Sequence, residues 1–314
     1  MPAATLVTGA AGFAGSHLID LLAAERMPVT AWHRPGGRAP REVPGVVWSG
    51  VDLLDRVGVR EAIHRLEPDV VYHCAGASHV GDSWTTTEAT LAVNVRATQH
   101  LVAALLSLRR PIRLVVAGSA MVYSASSEPL REDAVIGPLS PYAVSKLAQE
   151  LVASDDTAPL HVSIARAFNH FGPRQMPGFV AADFARRIAD IEAGRFRPEI
   201  AVGNLEARRD LTDVRDTVRA YRLIADAGQH GRAYNVCSGR TVVIRDLLEM
   251  LLARARVPIA VRTDHARLRP SDQPVVLGDA SRIRDELGWS PRIPLDRTLD
   301  DLLAYWRQRA TADS

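Results

Sequence analysis

Thr5-Leu6-Val7-Thr8-Gly9-Ala10-Ala11-Gly12-Phe13-Ala14-Gly15-Ser16 runs from a short apolar segment into three glycines spaced three apart, then into an amphipathic stretch reaching Ala24. The reading is strand, tight turn, helix. In that setting each glycine has a mechanical job. One turns the chain, one lets backbone amides approach a pyrophosphate, and one lets the helix pack closely on the strand. The helix N-terminus then offers unpaired N–H groups and the positive end of its dipole to phosphate oxygens. Gly9, Gly12, Phe13 and Gly15 are therefore expected to bind a dinucleotide.

Outward from that turn, short β-branched runs alternate with longer amphipathic ones. Strands are expected at Val29–Trp32, Val46–Trp48, Val70–Cys74, Arg113–Ala117 and His161–Ile164, several of them continuously apolar. Such runs suit parallel strands covered on both faces. Helices are expected at Ser16–Ala24, Val59–Leu66, Thr87–Leu108 and Tyr142–Ala153. The alternation predicts an α/β fold, a Rossmann-type doubly wound parallel sheet. After Phe168 the texture changes, with a helix over Phe179–Ala193, a strand at Ile200–Val202, an arginine-rich bend at Arg208–Arg209 and a strand at Ile259–Arg262. A dinucleotide-binding domain over 1–168 and a smaller, mostly C-terminal substrate-binding lobe over 169–314 follow. The helix Val214–Ala225 and strand Ala233–Cys237 make 211–239 a return to the main sheet.

The 314 residues are 47% apolar and 24% charged, which excludes disordered, collagenous and disulfide-scaffold classes. Basic and acidic residues nearly cancel, 38 against 36, so no net field favours nucleic acid or a membrane surface. No apolar run approaches the ~20 residues that span a bilayer. The N-terminus has no basic region ahead of its first strand, and Cys74 and Cys237 both fall in apolar runs. A cytoplasmic protein is the expectation. No metal is expected.

At the end of the second strand an acidic residue would hold an adenosine ribose 2′-OH. The stretch here is Trp32-His33-Arg34-Pro35-Gly36-Gly37-Arg38 and contains no carboxylate. Arg34 and Arg38 suit a 2′-phosphate instead, which favours NADP(H), with NAD(H) the alternative.

Of the 38 basic residues 37 are arginine, and the one lysine is Lys146. It stands four residues after Tyr142 in a stretch that Pro141 would open as a helix, so both side chains share a face. With six tyrosines in the chain, chance alone puts a single lysine at that spacing roughly 2% of the time. A neighbouring ammonium favours phenolate, so the Tyr142 pKa is expected to fall and the phenol to pass protons. Ser119 lies just past the fifth strand in Ala117-Gly118-Ser119-Ala120-Met121, at the carboxyl end where sheet ligands gather. It is placed to hydrogen-bond a reacting oxygen.

From Thr8 to about Trp306 the chain resembles the extended short-chain dehydrogenase/reductase family, its nucleotide-sugar-modifying members in particular. Ser119, Tyr142 and Lys146 carry the resemblance, with Asp52-Leu53 after the third strand, the turn His73-Cys74-Ala75-Gly76 and Asn94 in the long helix. It implies Tyr142 as acid/base and Lys146 as a ligand of the nicotinamide ribose. Asp52 and Leu53 would flank the adenine, Ala75 and Gly76 would line the cofactor, and Asn94 would support the active-site end of its helix. The runs 165–175 and 203–210, with Arg269-Pro270-Ser271-Asp272, resemble the GDP-mannose-derived branch. By that likeness Arg209 and Arg269 would hold the substrate diphosphate, Asp272 a ribose hydroxyl, and Asn169 a phosphate or sugar. Ser78, Arg174 and Gly203 complete the expected substrate site.

The 4,6-dehydratases of this group carry a carboxylate two residues after the Ser119 equivalent, because elimination needs a base at C5. Met121 stands there, and a thioether takes no proton. The resemblance therefore implies NADPH-dependent reduction of the C4 keto group of a nucleotide-linked, favoured GDP-linked, 6-deoxy-4-keto-hexose. The rival is an NAD-dependent nucleotide-sugar epimerase. The helices near Thr87–Leu108 and Tyr142–Ala153 resemble the family's dimer-forming helices, which implies a homodimer. Ala167, where proline is common, and Gly118, where serine is common, depart from the pattern.

Overall fold

The structure is a computed structural model and describes residues 4–36, 42–154, 158–264 and 273–312. Its first half runs β1 (Thr5–Thr8), α1 (Phe13–Ala24), β2 (Val29–His33), β3 (Val46–Gly50), α2 (Arg56–Leu66), β4 (Val70–His73), α3 (Thr87–Leu91), α4 (Ala97–Leu106), β5 (Ile112–Ser119), α5 (Pro141–Ala153) and β6 (Leu160–Ala167). Then come β7 (Asn169–Phe171), α6 (Val180–Glu192), β8 (Glu199–Val202), β9 (Arg208–Asp213), α7 (Val214–Ala227), β10 (Ala233–Val236), β11 (Thr241–Val243), α8 (Ile244–Leu252), β12 (Ala260–Thr263), β13 (Val275–Val276), α9 (Ser281–Leu287) and α10 (Leu295–Ala312).

Seven parallel strands form the central sheet in the order β10-β6-β5-β4-β1-β2-β3. This is the expected Rossmann-type sheet, with β10 added at one edge. Pleating sends alternate residues to opposite layers. Val7, Tyr72 and Val115 pack with Leu18 and Leu22 of α1 and with Val218 and Tyr221 of α7. Leu6, Val71, Leu114 and Val116 pack with Val59 and Ile63 of α2 and with Leu101 and Leu105 of α4. Because both faces are covered, these strands are apolar without alternation, and that made them legible in the sequence. A separate core joins α6, α8 and α10 through Phe184, Ile188, Leu247, Leu248, Leu299 and Leu302.

Two expectations about local structure are corrected. The helix expected over Thr87–Leu108 is interrupted: α3 ends at Leu91, Ala92–Arg96 form a π-turn, and α4 begins at Ala97. The wider turn places Asn94, fully buried, against the chain at Ala77 and α5. The bend expected at Arg208–Arg209 is a strand. It pairs antiparallel with β11 and parallel with β7 and β13. Its buried positions carry Asp210 and Thr212 rather than aliphatic residues, so hydropathy gave no strand signal. Asp210 accepts from the Ser238 amide and hydroxyl and the Gly239 and Gly278 amides, so that its burial is compensated.

Candidate active site

The turn after β1 has the geometry that its glycines predict. Gly9 sits at φ +64°, and a Cβ there would lie 2.5 Å from the Ala75 amide nitrogen. A Cβ on Gly15 would lie 2.2 Å from the Gly9 carbonyl oxygen. Neither position admits a side chain, and both keep bare backbone at the mouth of α1. Gly12 precedes that helix, which has no side-chain cap, so its first amides are left for a ligand. Phe13 stacks on His170 with rings 5.7 Å apart and nearly parallel. This cradle of glycines and unpaired amides fits a dinucleotide pyrophosphate.

Arg34 is exposed just beyond β2, while Arg38 lies outside the described residues. The exposed Asp52 caps its own turn by accepting from the Leu54 amide at 2.9 Å. The Leu53 carbonyl is bonded by His100 of α4, and the Leu53 side chain packs on the α2/α4 core. Ala75 and Gly76 follow β4. Gly76 must be glycine because a Cβ would lie 2.8 Å from Asn94 Oδ1. The Asn94 side chain is engaged by the protein: Oδ1 accepts from the Ala77 amide at 2.8 Å, and Nδ2 donates to the Ala77 carbonyl and to Ser145 Oγ. Its place is structural support for the turn and for α5.

Ser119 ends β5, and its hydroxyl accepts from the Met121 amide at 3.2 Å. Ser140 caps α5 by accepting from the Ala143 amide, with Pro141 at the first helical position. Ser83 accepts from the Tyr142 amide at 3.1 Å, a buried contact that no motif had marked. The Ser119 hydroxyl is the polar neighbour that favours the Tyr142 phenolate. The Tyr142 pKa is nevertheless raised, not lowered as expected. Burial dominates, and only the Ser119 bond opposes it. Lys146 is buried and donates at 2.5 Å to the Ala117 carbonyl and at 2.5 Å to Gln149 Oε1. Burial pushes its ammonium down to about 8 against the pull of Glu150 and Cys74. A neutral phenol beside a serine hydroxyl is set to give a proton to a developing alkoxide.

A cleft of about 750 Å³ lies under α6. Asn169, Gly203 and Arg209 line it, so three of the expected substrate residues come together there. Ser119, Tyr142 and Lys146 do not line this cleft, and its link to them runs along the chain. Asn169 stands two residues past Ala167, which pairs with Ser119 across β5 and β6. Asp183, Arg186 and Arg187 of α6 also line it, and the Arg187 guanidinium lies 4.0 Å over the Phe196 ring. Their spacing along one helix was the available signal, but alone it reads as a solvated face. Ser78 is exposed after the β4 turn. Arg269 and Asp272 lie outside the described residues. Arg174 does not line the cleft. It reaches α1, donating to Asp20 at 2.7 Å and to His17 Nδ1 at 2.6 Å. His17 Nε2 in turn meets the Pro173 carbonyl.

A family model described as GDP-mannose 4,6 dehydratase matches residues 6–302. The chain belongs to that family. Within the GDP-mannose 4,6 dehydratase family and its structural relatives, three likenesses stand out. GDP-6-deoxy-D-mannose reductase of Pseudomonas aeruginosa is 35% identical over 308 residues, 96% of this chain and 97% of that protein. The structure of RMD from P. aeruginosa complexed with NADPH matches at TM-score 0.85 and 33% identity, covering 97% of this chain and 99% of that one. UDP-glucose 4-epimerase of Thermus thermophilus in complex with NAD matches at TM-score 0.85 and 26% identity over 96% of this chain and 98% of that one. No helix among the described residues is long and apolar enough to cross a membrane, and among them no group of His, Cys, Asp and Glu could hold a metal ion.

Proposed function

We propose that the protein is an NADPH-dependent reductase of the C4 keto group of a GDP-linked 6-deoxy-4-keto-hexose, yielding the 4-hydroxy sugar of the GDP-rhamnose type. The observation that carries this reading is the complete Ser119, Tyr142 and Lys146 set with Met121 in the position from which elimination would need a base. Reduction of a ketone needs a hydride, a proton and an oxyanion partner, and no base at C5. The likeness to the P. aeruginosa reductase supports the same choice.

Bound NADPH supplies the hydride. Gly9, Gly12 and the N-terminus of α1 would hold its pyrophosphate. Arg34 would meet a 2′-phosphate, and Asp52 and Leu53 would flank the adenine. Lys146, with two of its three donors on Ala117 and Gln149, has one N–H left for the nicotinamide ribose. Ser119 would polarise the C4 carbonyl by hydrogen bond, and the Tyr142 phenol would give its proton to that oxygen as negative charge develops there. Asn169, Gly203 and Arg209 would hold the nucleotide sugar, a guanidinium being well shaped for a diphosphate. Arg269 and Asp272 belong to the same proposal.

We further assign residues 1–168 with 211–239 to a cofactor unit and the rest to a substrate lobe. The chain is read as a cytoplasmic homodimer without nucleic-acid partners. Val144 and Leu151, seven residues apart on α5, are exposed, as is Leu91 of the adjacent α3, and such a face suits a second copy.

The test mixes the purified protein with GDP-4-keto-6-deoxymannose and NADPH and follows nicotinamide absorbance. Stoichiometric loss, much slower with NADH, is expected. No net loss, with nucleotide recovered from denatured protein, would transfer the assignment to an epimerase. Tyr142→Phe, still folded, should lose about 10²–10⁴-fold in kcat, the usual contribution of a positioned acid. Near-normal turnover in that variant would remove Tyr142 from the mechanism.

A further inference from the structure

Lys146 is one end of a chain of buried polar side chains that ends at the glycine turn. Gln149, one helical turn further along α5, accepts from the Lys146 ammonium through Oε1 at 2.5 Å. Its Nε2 then faces Thr98 Oγ1 of α4 at 3.0 Å. The Thr98 hydroxyl gives its only proton to the Asn94 carbonyl at 2.7 Å, so Oγ1 is an acceptor towards its other neighbours. One neighbour is Gln149 and the other is His73 Nε2 at 2.8 Å, which must therefore carry the imidazole proton. His73 Nδ1 is left to accept from Thr8 Oγ1 at 2.7 Å. Thr8 immediately precedes Gly9, and its Oγ1 also lies 3.4 Å from the Ala75 amide, the nitrogen against which Gly9 packs.

Gln149, Thr98, His73 and Thr8 are all fully buried. Thr98 Oγ1 and both His73 nitrogens have partners that fit them, so the orientation of the ring and of the Gln149 amide is set by neighbours. A neutral amide is well suited to the first place. It accepts from an ammonium without cancelling its charge, while its own NH₂ is tied to a fixed hydroxyl. A lysine on a flexible four-carbon stem would otherwise sample several rotamers.

We infer that Gln149 is a positioning residue for the reaction: it fixes the Lys146 ammonium and, through Thr98 and His73, ties it to the turn that holds the dinucleotide. The role rests on the reductase reading only for its consequence in turnover. The titratable groups that act on the ammonium are Glu150 of its own helix and His73 and Cys74 at the end of β4. Glu150 is paired with Arg166 of β6 at 2.9 Å. Burial holds His73 neutral, its pKa down to about 3, and pushes the Cys74 thiol up to about 12. Neither His73 nor Cys74 therefore changes its charge across the range in which Lys146 titrates.

Because Lys146 is the one lysine, protein made with ¹³C-labelled lysine gives a single side-chain resonance that reports its ammonium without any substrate. Gln149→Met removes an acceptor of the charged form and should move the titration of that resonance down by about one pH unit. Gln149→Glu places a carboxylate there and should move it up by about one unit or more. The alkaline limb of kcat should move with the resonance, in opposite directions in the two variants. A merely structural role lowers kcat evenly across pH and leaves the resonance alone, and that result would overturn the inference. If Gln149→Met does not fold, Gln149→Glu decides by its upward shift, and an unshifted resonance there refutes the assignment. Opposite shifts of the resonance in a protein that reduces no 4-keto nucleotide sugar would support the placement of Gln149 and sink the reductase reading alone.

Discussion

At the scale of single residues, burial and not charge proximity sets the acid–base behaviour of the site. The Tyr142 phenol stays protonated because desolvation outweighs the Ser119 hydrogen bond, and this suits a proton donor. Lys146 is the group that titrates near physiological pH, at about 8. Below that value the ammonium is present and able to hold a ribose hydroxyl. As pH rises through about 8 it is lost, so kcat/KM for NADPH should fall on the alkaline side. A profile flat to pH 10 would remove the ammonium from cofactor binding. Gly9→Ala is argued at the same scale. A side chain at φ +64° costs about 1–2 kcal/mol, before its overlap with the Ala75 backbone is counted. Weakened NADPH binding, read by fluorescence titration, together with a lowered Tm, is the expected result. Gly118, a departure from the family pattern, has a local reason as well. A Cβ there would lie 2.8 Å from Ile164 Cγ2 and 2.9 Å from Glu150 Oε1, the carboxylate that holds Arg166.

At the scale of elements, the π-turn over Ala92–Arg96 joins three pieces of the site. Its Asn94 fixes the backbone after β4 and reaches Ser145, which bonds the Tyr142 carbonyl at 2.7 Å. Asn94→Ala would leave buried donors and acceptors unpaired, at about 1–3 kcal/mol for each. The variant should lose stability in chemical denaturation and lose kcat more than it loses substrate affinity. Unchanged kcat would mean that Tyr142 is held well enough by Ser83 and Ser140. Apolar periodicity ran unbroken through 87–108, because a π-turn changes the register by one residue without changing the composition. The helix is therefore legible in the sequence and its interruption is not. For β9 the signal failed in another way, since its buried positions are polar and become acceptable only when Ser238, Gly239 and Gly278 arrive from elsewhere in the chain.

At the scale of the whole molecule, Arg174 and His17 tie the segment after β7 to the first helix. Arg174 was expected at the substrate, yet its guanidinium is engaged by Asp20 and His17. Because that ion pair is partly exposed, Arg174→Ala should cost no more than about 1 kcal/mol. Its KM for the nucleotide sugar should stay within about threefold of the original, whereas a rise of tenfold or more, about 1.4 kcal/mol, would restore Arg174 as a substrate ligand. The proposed dimer is tested by Val144→Glu combined with Leu151→Glu. Sedimentation should move from twice the chain mass to once, and an unchanged mass would place any interface elsewhere.

Much of this protein was determined by local sequence. The glycine spacing, the apolar parallel strands and the isolated lysine four residues from a tyrosine each carry their meaning within a dozen residues, because turns, pleats and helical faces are local geometry. Tertiary structure alone decided the rest. Whether Tyr142 is acid or phenolate depends on how much water the fold removes. Whether Asn94 and Arg174 meet a ligand or the protein depends on groups far off in sequence: Ala77, Ser145, His17 and Asp20. The chain from Lys146 to Thr8 draws on β1, β4, α4 and α5, and no spacing records it. Burial and hydrogen-bond partnership are properties of the packed molecule, and they decide which of the residues the motifs point to are free to act.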